Sequence, residues 1–326
     1  MRISKVAVNR LAILTLATLT LLLAACFVGA SYLLRVGINR PSEEDRAYQA
    51  GLDRMAGEYP FIMPWYDSLM ARGAMGEVTM RNRDSVRLHA VYIPARDTTR
   101  RTALIIHGYS DTPMSMLQLA YLYHHDLGYN VFLPDLFAHG KSEGDHVQMG
   151  LRDRLDVLEW LPVVDSIYGG GTEIVVHGVS MGAATTMHLA GEDCPPTVRC
   201  FVEDCGYTSV WDEFAHQLDE LYGLPPFPML HTADLICQWK YGWNFREASP
   251  LEAVARAKRP MLFIHGDEDT YVPSWMLWPL YEACASPKAI FVAEGSRHAR
   301  AYRDHPREYT QAVRRFLAAH MKAREE

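Results

Sequence analysis

Short apolar runs recur along the chain and alternate with longer stretches of helical character. The runs are bounded by Gly, Pro or Asp and are continuously apolar, as expected for strands buried on both faces of a parallel sheet. Strands that alternate with helices in this way are typical of α/β domains with helices on both faces of the sheet. Six strands are predicted: Ala103–His107, Asn130–Pro134, Glu173–His177, Cys200–Asp204, Met261–His265 and Ala289–Ala293.

A hairpin precedes these strands. Apolar positions alternate with polar ones between Glu77 and Ala95, and Asn82 to Ser85 form the turn between two predicted strands. The hairpin and the six later strands together predict a mostly parallel sheet of eight strands. Because ligands of open α/β sheets bind at the carboxyl ends of the strands, the chemistry is expected at that edge.

Two intervals fall outside this pattern. Residues 41–74 are mixed and aromatic, and we interpret them as a helical connector that packs on the main domain, residues 75–326. Residues 211–250 lie between two strands that should be neighbours and hold a proline-rich turn followed by a segment rich in Trp, Tyr and Leu. This interval fits a small helical cap over an apolar substrate pocket. Ordinary core helices joined by a proline loop are the alternative.

The N-terminus carries a long uncharged stretch. The 24 residues from Leu11 to Leu34 contain no charge. At 1.5 Å per residue they can cross a hydrocarbon core of about 30 Å. The basic residues before them favour a cytoplasmic N-terminus, which would put the folded domain on the far side of the membrane, in the periplasm or outside the cell. We therefore predict a membrane anchor within residues 1–40.

A processed signal is the alternative to an uncleaved anchor. Leu23-Ala24-Ala25-Cys26 resembles a bacterial lipobox, in which the cysteine becomes the lipidated first residue. The chain stays apolar after Cys26, however, whereas a lipoprotein normally turns polar at this point. The whole stretch fits a membrane helix better than a short signal core, so a signal anchor is the preferred interpretation.

Composition narrows the classes of partner. The first 40 residues hold five basic residues and no acidic ones, so residues 41–326 carry 27 basic against 39 acidic residues, a formal charge of −12. An acidic domain repels phosphate backbones, and nucleic acid is not expected as a partner. Cys194 and Cys200, six positions apart in this domain, are the candidate pair of cysteines. They could form a disulfide in an exported protein or remain buried thiols.

The segment Gly178-Val179-Ser180-Met181-Gly182 follows an apolar strand and precedes small residues typical of a helix. In this context GxSxG is a nucleophile elbow, because its glycines allow a tight turn that lifts the serine hydroxyl above the sheet. The bare motif also arises by chance, and Ser180 could serve only as a helix cap. The strand before it and the helix after it favour Ser180 as a nucleophile, with Gly178 and Gly182 forming the elbow.

Another strand ends in His107-Gly108-Tyr109. This ending brings the backbone N–H of Tyr109 beside the expected pocket, and the N–H of Met181 points there from the start of the next helix. Two such donors can hold the oxyanion of a tetrahedral intermediate. His107 precedes the turn, so we interpret it as structural rather than catalytic.

An acidic loop and a late histidine supply an acid and a base. Asp269 follows the strand at 261–265 and is preferred over Asp267 in the same loop and over Asp204 after the preceding strand. His298 follows the last strand and is expected to take the proton of the nucleophile and return it to the leaving group. His305 is the fallback for the base.

Two other motifs resemble binding sites without completing them. Gly140-Lys141-Ser142 matches the end of a phosphate-binding loop, but Asp135 stands where the first glycine is required. His124-His125-Asp126 is accompanied by neither an HExxH pattern nor a matching cluster of ligands. The sequence therefore predicts no metal and no cofactor.

Several of these segments together resemble the α/β-hydrolase superfamily over roughly residues 75–320. The segments are HGYSD at 107–111, DLFAHGKSEG at 135–144, GVSMG at 178–182, EDCGYTS at 203–209 and HGDEDTYVP at 265–273. They are most similar to membrane-anchored or exported bacterial hydrolases called serine aminopeptidase-like. The resemblance implies Ser180, Asp269 and His298 as a catalytic triad. Names in this branch follow the fold more than known substrates.

Three functions are compatible with these features. The first is a serine hydrolase that cleaves an ester or related acyl bond of a small-molecule or lipid-like substrate through an acyl-enzyme, without a cofactor. The second is a peptidase, although the chain has no propeller repeats of the kind that filter access of peptides. The third is a catalytically silent, membrane-tethered binding protein that keeps the fold.

Overall fold

The computed structural model describes residues 5–40 and 44–321. The strands are β1 Gly76–Arg81, β2 Arg87–Ile93, β3 Arg101–Ile106, β4 Asn130–Pro134, β5 Glu173–Val179, β6 Val198–Asp204, β7 Met261–Gly266 and β8 Lys288–Ala293. The α-helices are α1 Lys5–Ile38, α2 Glu44–Glu58, α3 Met63–Ala71, α4 Leu117–Tyr121, α5 Asp153–Ile167, α6 Met181–Ala190, α7 Val210–Tyr222, α8 Met229–Tyr241, α9 Pro250–Val254, α10 Leu277–Ala283, α11 Ala301–Asp304 and α12 Pro306–His320. Single turns of 3₁₀-helix lie at Pro60–Ile62, Pro113–Met116 and Ser274–Met276, and a π-turn at Leu122–Asp126.

The eight strands form one sheet in the order β1-β2-β4-β3-β5-β6-β7-β8. Strand β2 runs antiparallel to both of its neighbours, and the pairings from β4 through β8 are parallel. Alternate residues of one strand enter different apolar clusters: Leu104 and Ile106 lie in one cluster, Ala103 and Ile105 in the other. The sheet is therefore buried on both faces, and the predicted α/β fold with a mostly parallel sheet of eight strands is confirmed.

The carboxyl ends of four parallel strands converge on one region of the sheet edge. Strand β3 pairs with β5 up to Ile106 and Gly178, and β7 pairs with β8 up to Gly266 and Ala293. The loops that leave these strands carry the predicted acid, base, nucleophile and oxyanion residues. The register of the sheet thus brings together segments that lie far apart in the chain.

Helix α1 has two distinct parts. The side chains of residues 9–25 are all exposed. Beyond them, one face packs on the domain at a helical spacing, with residues 26, 29, 30, 33, 34, 37 and 38 buried or partly buried. By length and composition, α1 could cross a membrane, and the four residues that resemble a lipobox, Leu23-Ala24-Ala25-Cys26, lie inside it. Residues 41–43 of the predicted connector lie outside the described residues.

Helices α2 and α3 form the described part of the connector. Their inward side chains and the turn between them join the apolar cluster on one face of the sheet: Met55, Tyr59, Ile62, Trp65 and Leu69. Helices α7 and α8 fill most of the interval at 211–250 between β6 and β7. Helix α8 packs along α1, where Cys26 Sγ lies 3.3 Å from Thr232 Oγ1. All six cysteines are free thiols, including Cys194 and Cys200.

Candidate active site

The turn after β5 holds Ser180 in a strained backbone conformation, with φ 57° and ψ −117°. The glycines of the motif allow the tight turn, since a Cβ on Gly178 would collide with the carbonyl oxygen of Gly182 and a Cβ on Gly182 with that of Ile106. The strain is typical of a nucleophile elbow. It holds the serine at the start of α6, where its hydroxyl is available for contacts across the sheet edge.

Three residues predicted from the sequence form one chain of hydrogen bonds. Ser180 Oγ lies 2.9 Å from His298 Nε2. His298 Nδ1 lies 2.7 Å from Asp269 Oδ2, so an Nδ1–H donates to the carboxylate and leaves Nε2 free to accept from the serine hydroxyl. This arrangement can move the serine proton to the imidazole while the carboxylate stabilises the imidazolium that forms.

The Asp269 carboxylate is fixed from three directions. Its Oδ1 accepts the backbone N–H groups of Tyr271 and Val272 at 3.0 Å each. His265 Nε2, which donates to the Val272 carbonyl at 3.0 Å, lies 3.3 Å from Asp269 Oδ2. Burial alone would raise the pKa of Asp269, but hydrogen bonds from His265 and His298 outweigh it and hold the pKa below its ordinary value. The acid therefore stays ionised at neutral pH.

His265 is a partner of Asp269 that the sequence pattern did not reveal. It is buried, and its pKa is raised above the ordinary value because Asp269 and Glu203 outweigh the opposing effect of burial. Its spacing of four residues from Asp269 was the available signal. That signal is weak, because β7 ends between the two residues and ordinary i,i+4 reasoning applies to helices.

The alternative acids and base make other contacts. Asp204 Oδ2 accepts the Tyr309 hydroxyl at 2.8 Å, and Asp267 Oδ1 accepts the Gly295 N–H at 2.6 Å. The His305 ring contacts the Glu294 carbonyl at 2.7 Å through Nε2. The geometry therefore favours Asp269 over both alternative acids and His298 over His305.

The turn that contains Tyr109 lies against the nucleophile. A Cβ on Gly108 would be 3.4 Å from Ser180 Cβ, and Tyr109, Ser180 and Met181 border the same cavity. Met181 is the first residue of α6, so its N–H has no acceptor within the helix. The two predicted oxyanion donors thus belong to segments that meet beside Ser180.

Two neutral histidines support this turn. The Leu136 N–H donates to His107 Nε2 at 3.0 Å, and the Ser110 N–H donates to His139 Nε2 at 3.2 Å. Burial lowers the pKa of both rings, that of His139 to about 3. Both rings stay neutral at physiological pH and can accept these N–H groups. The structure therefore gives His107 the structural role expected from the sequence.

A cavity of about 230 Å³ opens beside Ser180. Most of its wall is apolar and comes from α7, α8 and the end of α1, together with Tyr207 and Tyr271. Glu213 and Gln217 are polar residues in this wall, and Gln217 Nε2 donates to Glu213 Oε1 at 2.9 Å. Glu213 is buried, and its Oε2 has no hydrogen-bond partner within the described residues. Burial raises the pKa of Glu213 to about 8, so this carboxyl is mostly neutral at pH 7.

Cys205 adds a third potential metal donor beside the predicted acid and base, since donor atoms of Cys205, Asp269 and His298 lie within 4.8 Å of one another. The Asp269 carboxylate and the His298 imidazole are already hydrogen-bonded to each other. Burial raises the pKa of the Cys205 thiol well above its ordinary value, whereas metal ligation requires the thiolate. The chemistry of these groups suits proton transfer better than metal binding.

The chain is similar in fold to two solved hydrolase structures. An esterase of Pyrococcus furiosus, Pf2001, superposes with a TM-score of 0.62 at 23% identity, over 76% of this chain and 93% of the esterase. An acylaminoacyl peptidase of Pyrococcus horikoshii superposes with a TM-score of 0.57 at 18% identity, over 80% of this chain and 44% of the peptidase. At these identities the likeness establishes the fold.

Sequence comparisons establish the family. The uncharacterized protein YqkD of Bacillus subtilis is 32% identical over 226 residues, which cover 69% of this chain and 74% of YqkD. The model of the alpha/beta hydrolase family matches residues 103–312. This match includes Ser180, Asp269 and His298 and confirms the resemblance drawn from the sequence. The chain belongs to the alpha/beta hydrolase family.

Proposed function

We propose that this protein is a serine hydrolase that cleaves carboxylic esters or related acyl bonds, with Ser180 as nucleophile, His298 as base and Asp269 as the acid that orients the base. The observation that carries the proposal is the unbroken pair of hydrogen bonds, 2.9 Å from Ser180 Oγ to His298 Nε2 and 2.7 Å from His298 Nδ1 to Asp269 Oδ2. Membership of a hydrolase family and the esterase and peptidase folds among its neighbours support it.

Catalysis begins when Ser180 Oγ attacks the carbonyl carbon and His298 Nε2 takes the hydroxyl proton. The oxyanion that forms accepts hydrogen bonds from the N–H groups of Tyr109 and Met181, an effect worth roughly 3 to 4 kcal/mol for one good donor. The tetrahedral intermediate then expels the alcohol, which takes the proton from His298 and leaves an acyl-Ser180 ester. Water, activated by the same imidazole, releases the acid and restores the serine.

The cavity wall favours ester over peptide substrates. Its largely apolar surface suits an acyl chain, whereas a peptide would bring backbone groups that need hydrogen-bond partners. Peptide hydrolysis remains the second function because the same machinery serves both, and one neighbouring fold is a peptidase.

A panel of p-nitrophenyl esters from acetate to decanoate, compared with aminoacyl p-nitroanilides, tests the substrate class. We expect ester hydrolysis with a kcat/KM at least about tenfold above that of any anilide, because the pocket binds the acyl chain. Faster turnover of an anilide would replace the esterase assignment by a peptidase. Turnover of neither, in a folded protein, would favour the silent binding protein.

We further propose that α1 anchors the protein, with the domain on the periplasmic or extracellular side. The uncharged stretch from Leu11 to Leu34 and the basic residues before it support both points. Cleavage and lipidation at Cys26 remain the alternative mode of attachment. The apparent mass of the membrane-bound protein distinguishes them, since lipoprotein processing removes the 25 residues before Cys26.

A further inference from the structure

We propose that the substrate is a bilayer lipid with an acyl ester, and that its acyl chain passes from the membrane into the cavity between α1 and α7. This inference rests on the proposed acyl hydrolase activity and on the anchor. Its basis is that α1 connects the proposed membrane span with the active-site cavity. The helix begins as an exposed apolar segment and ends in the wall of the cavity that contains Ser180. Four of its residues, Leu33, Leu34, Val36 and Gly37, border that cavity.

The length of α1 sets the depth of the domain relative to the membrane. The fully exposed part, residues 9–25, is about 26 Å long at 1.5 Å per residue. A hydrocarbon core of about 30 Å needs some 20 residues, so a span that starts at Leu11 ends near Ala30. At that level α1 already contacts α8, where Cys26 meets Thr232 and Gly29 meets Met229. The first turn of α8, residues 229–232, therefore lies at the membrane surface.

The cavity is close to that surface. Leu33 follows Ala30 by one helical turn, about 5 Å farther along the axis. Gly37 lies one turn beyond, where α1 passes close to α7, since a Cβ on Gly37 would be 3.4 Å from Phe214 Cζ. An acyl chain that leaves the hydrocarbon core along α1 would therefore cross only a few ångströms of interface before it enters the cavity.

The rim of the cavity is apolar on both sides. Val36 on α1 and Leu221 and Tyr222 on α7 border the cavity although they are 52%, 67% and 47% exposed. These residues line a mouth between the two helices. If the mouth faced water, these exposed apolar side chains would have an unfavourable free energy of hydration. A mouth in the membrane interface keeps them out of water.

The outer surface of α7, α8 and their connecting loop fits the same environment. Four large apolar or aromatic side chains are exposed there, Leu224, Phe227, Leu235 and Trp239, of which Trp239 is 84% exposed. The exposed polar residues of the two helices are Asp219, Glu220, Gln238 and Lys240. Tryptophan is enriched where proteins meet the boundary between lipid and water. This surface adjoins α1 through the contact between α8 and α1, so the two helices and the anchor can rest on one leaflet together.

The test uses the full chain in phosphatidylcholine vesicles that contain monooleoylglycerol, with released oleate as the readout, and p-nitrophenyl acetate as a soluble ester in the same vesicles. Gly37→Leu narrows the passage between α1 and α7, and Ala25→Leu, on the exposed part of α1, is the matched control. Leu221→Glu places a charge on the exposed rim, where it should not disturb folding. Retained labelling by a fluorophosphonate probe reports an intact nucleophile.

We expect wild type and Ala25→Leu to release oleate, and Gly37→Leu and Leu221→Glu to lower the ratio of oleate release to acetate hydrolysis at least about tenfold, because the long chain needs the passage along α1 and the acetyl group does not. Oleate release unaffected by both changes, or acetate and oleate hydrolysis reduced equally, would overturn the passage. Wild type that cleaves acetate but releases no oleate would overturn the lipid substrate and leave the esterase assignment intact. Failure on both substrates would instead contradict the proposed function itself.

Discussion

His298→Ala is expected to lower kcat by on the order of 10³-fold or more while the protein remains folded. The imidazole is the group that contacts the Ser180 hydroxyl, at 2.9 Å, and no other base among the described residues is hydrogen-bonded to that hydroxyl. The loss should fall on kcat rather than KM, since the cavity wall that binds the acyl chain is unchanged. Steady-state kinetics on a short-chain p-nitrophenyl ester, with circular dichroism as a check of folding, measures it.

His305→Ala is the control for this prediction. That ring contacts the Glu294 carbonyl next to α12, and the variant should keep kcat within a few-fold of wild type. If His298→Ala stays close to wild type and His305→Ala does not, the base has been assigned to the wrong histidine.

Asp269→Asn is expected to lower kcat by about 10³- to 10⁴-fold, because an amide cannot stabilise the imidazolium and can hold the ring in the wrong tautomer. The amide nitrogen would also face N–H donors: Oδ1 now accepts from Tyr271 and Val272, and Oδ2 from His298. Measurement of kcat on a short-chain p-nitrophenyl ester, with circular dichroism as a check of folding, tests the role.

Two isosteric variants serve as matched controls. Asp267→Asn keeps a side-chain oxygen that can accept the Gly295 N–H, and Asp204→Asn keeps one that can accept the Tyr309 hydroxyl. Both should retain kcat within about tenfold of wild type. A severe loss in either, combined with a mild effect of Asp269→Asn, would move the acid to that position.

Much of the fold and site follows from local sequence. Strands buried on both faces leave continuous apolar runs, so β3 to β8 could be predicted within a few residues. The loops at their carboxyl ends must share one sheet edge, which allowed Ser180, Asp269 and His298 to be chosen by their position after strands β5, β7 and β8. The nucleophile elbow at residues 178–182 could be recognised because its tight turn requires glycine at fixed positions.

Long-range packing was not predictable from the same patterns. Helix α1 was expected to be a simple membrane span, because uniform hydrophobicity does not distinguish a lipid-facing surface from one that packs on protein. Its contact with α8 joins residues separated by 206 positions, Cys26 and Thr232, and no local periodicity encodes that. The contact of His265 with Asp269 and the buried carboxyl of Glu213 in the cavity wall were missed for a related reason, since burial and the partners of a polar group are tertiary properties.

Mass spectrometry of the folded protein after treatment with a fluorophosphonate probe tests whether Ser180 is the nucleophile, because the reagent reacts preferentially with an activated serine hydroxyl. We expect a single adduct in wild type, located on the peptide that carries Ser180, and none in Ser180→Ala. A folded wild type that does not react, or a Ser180→Ala variant that reacts to the same extent, would contradict it.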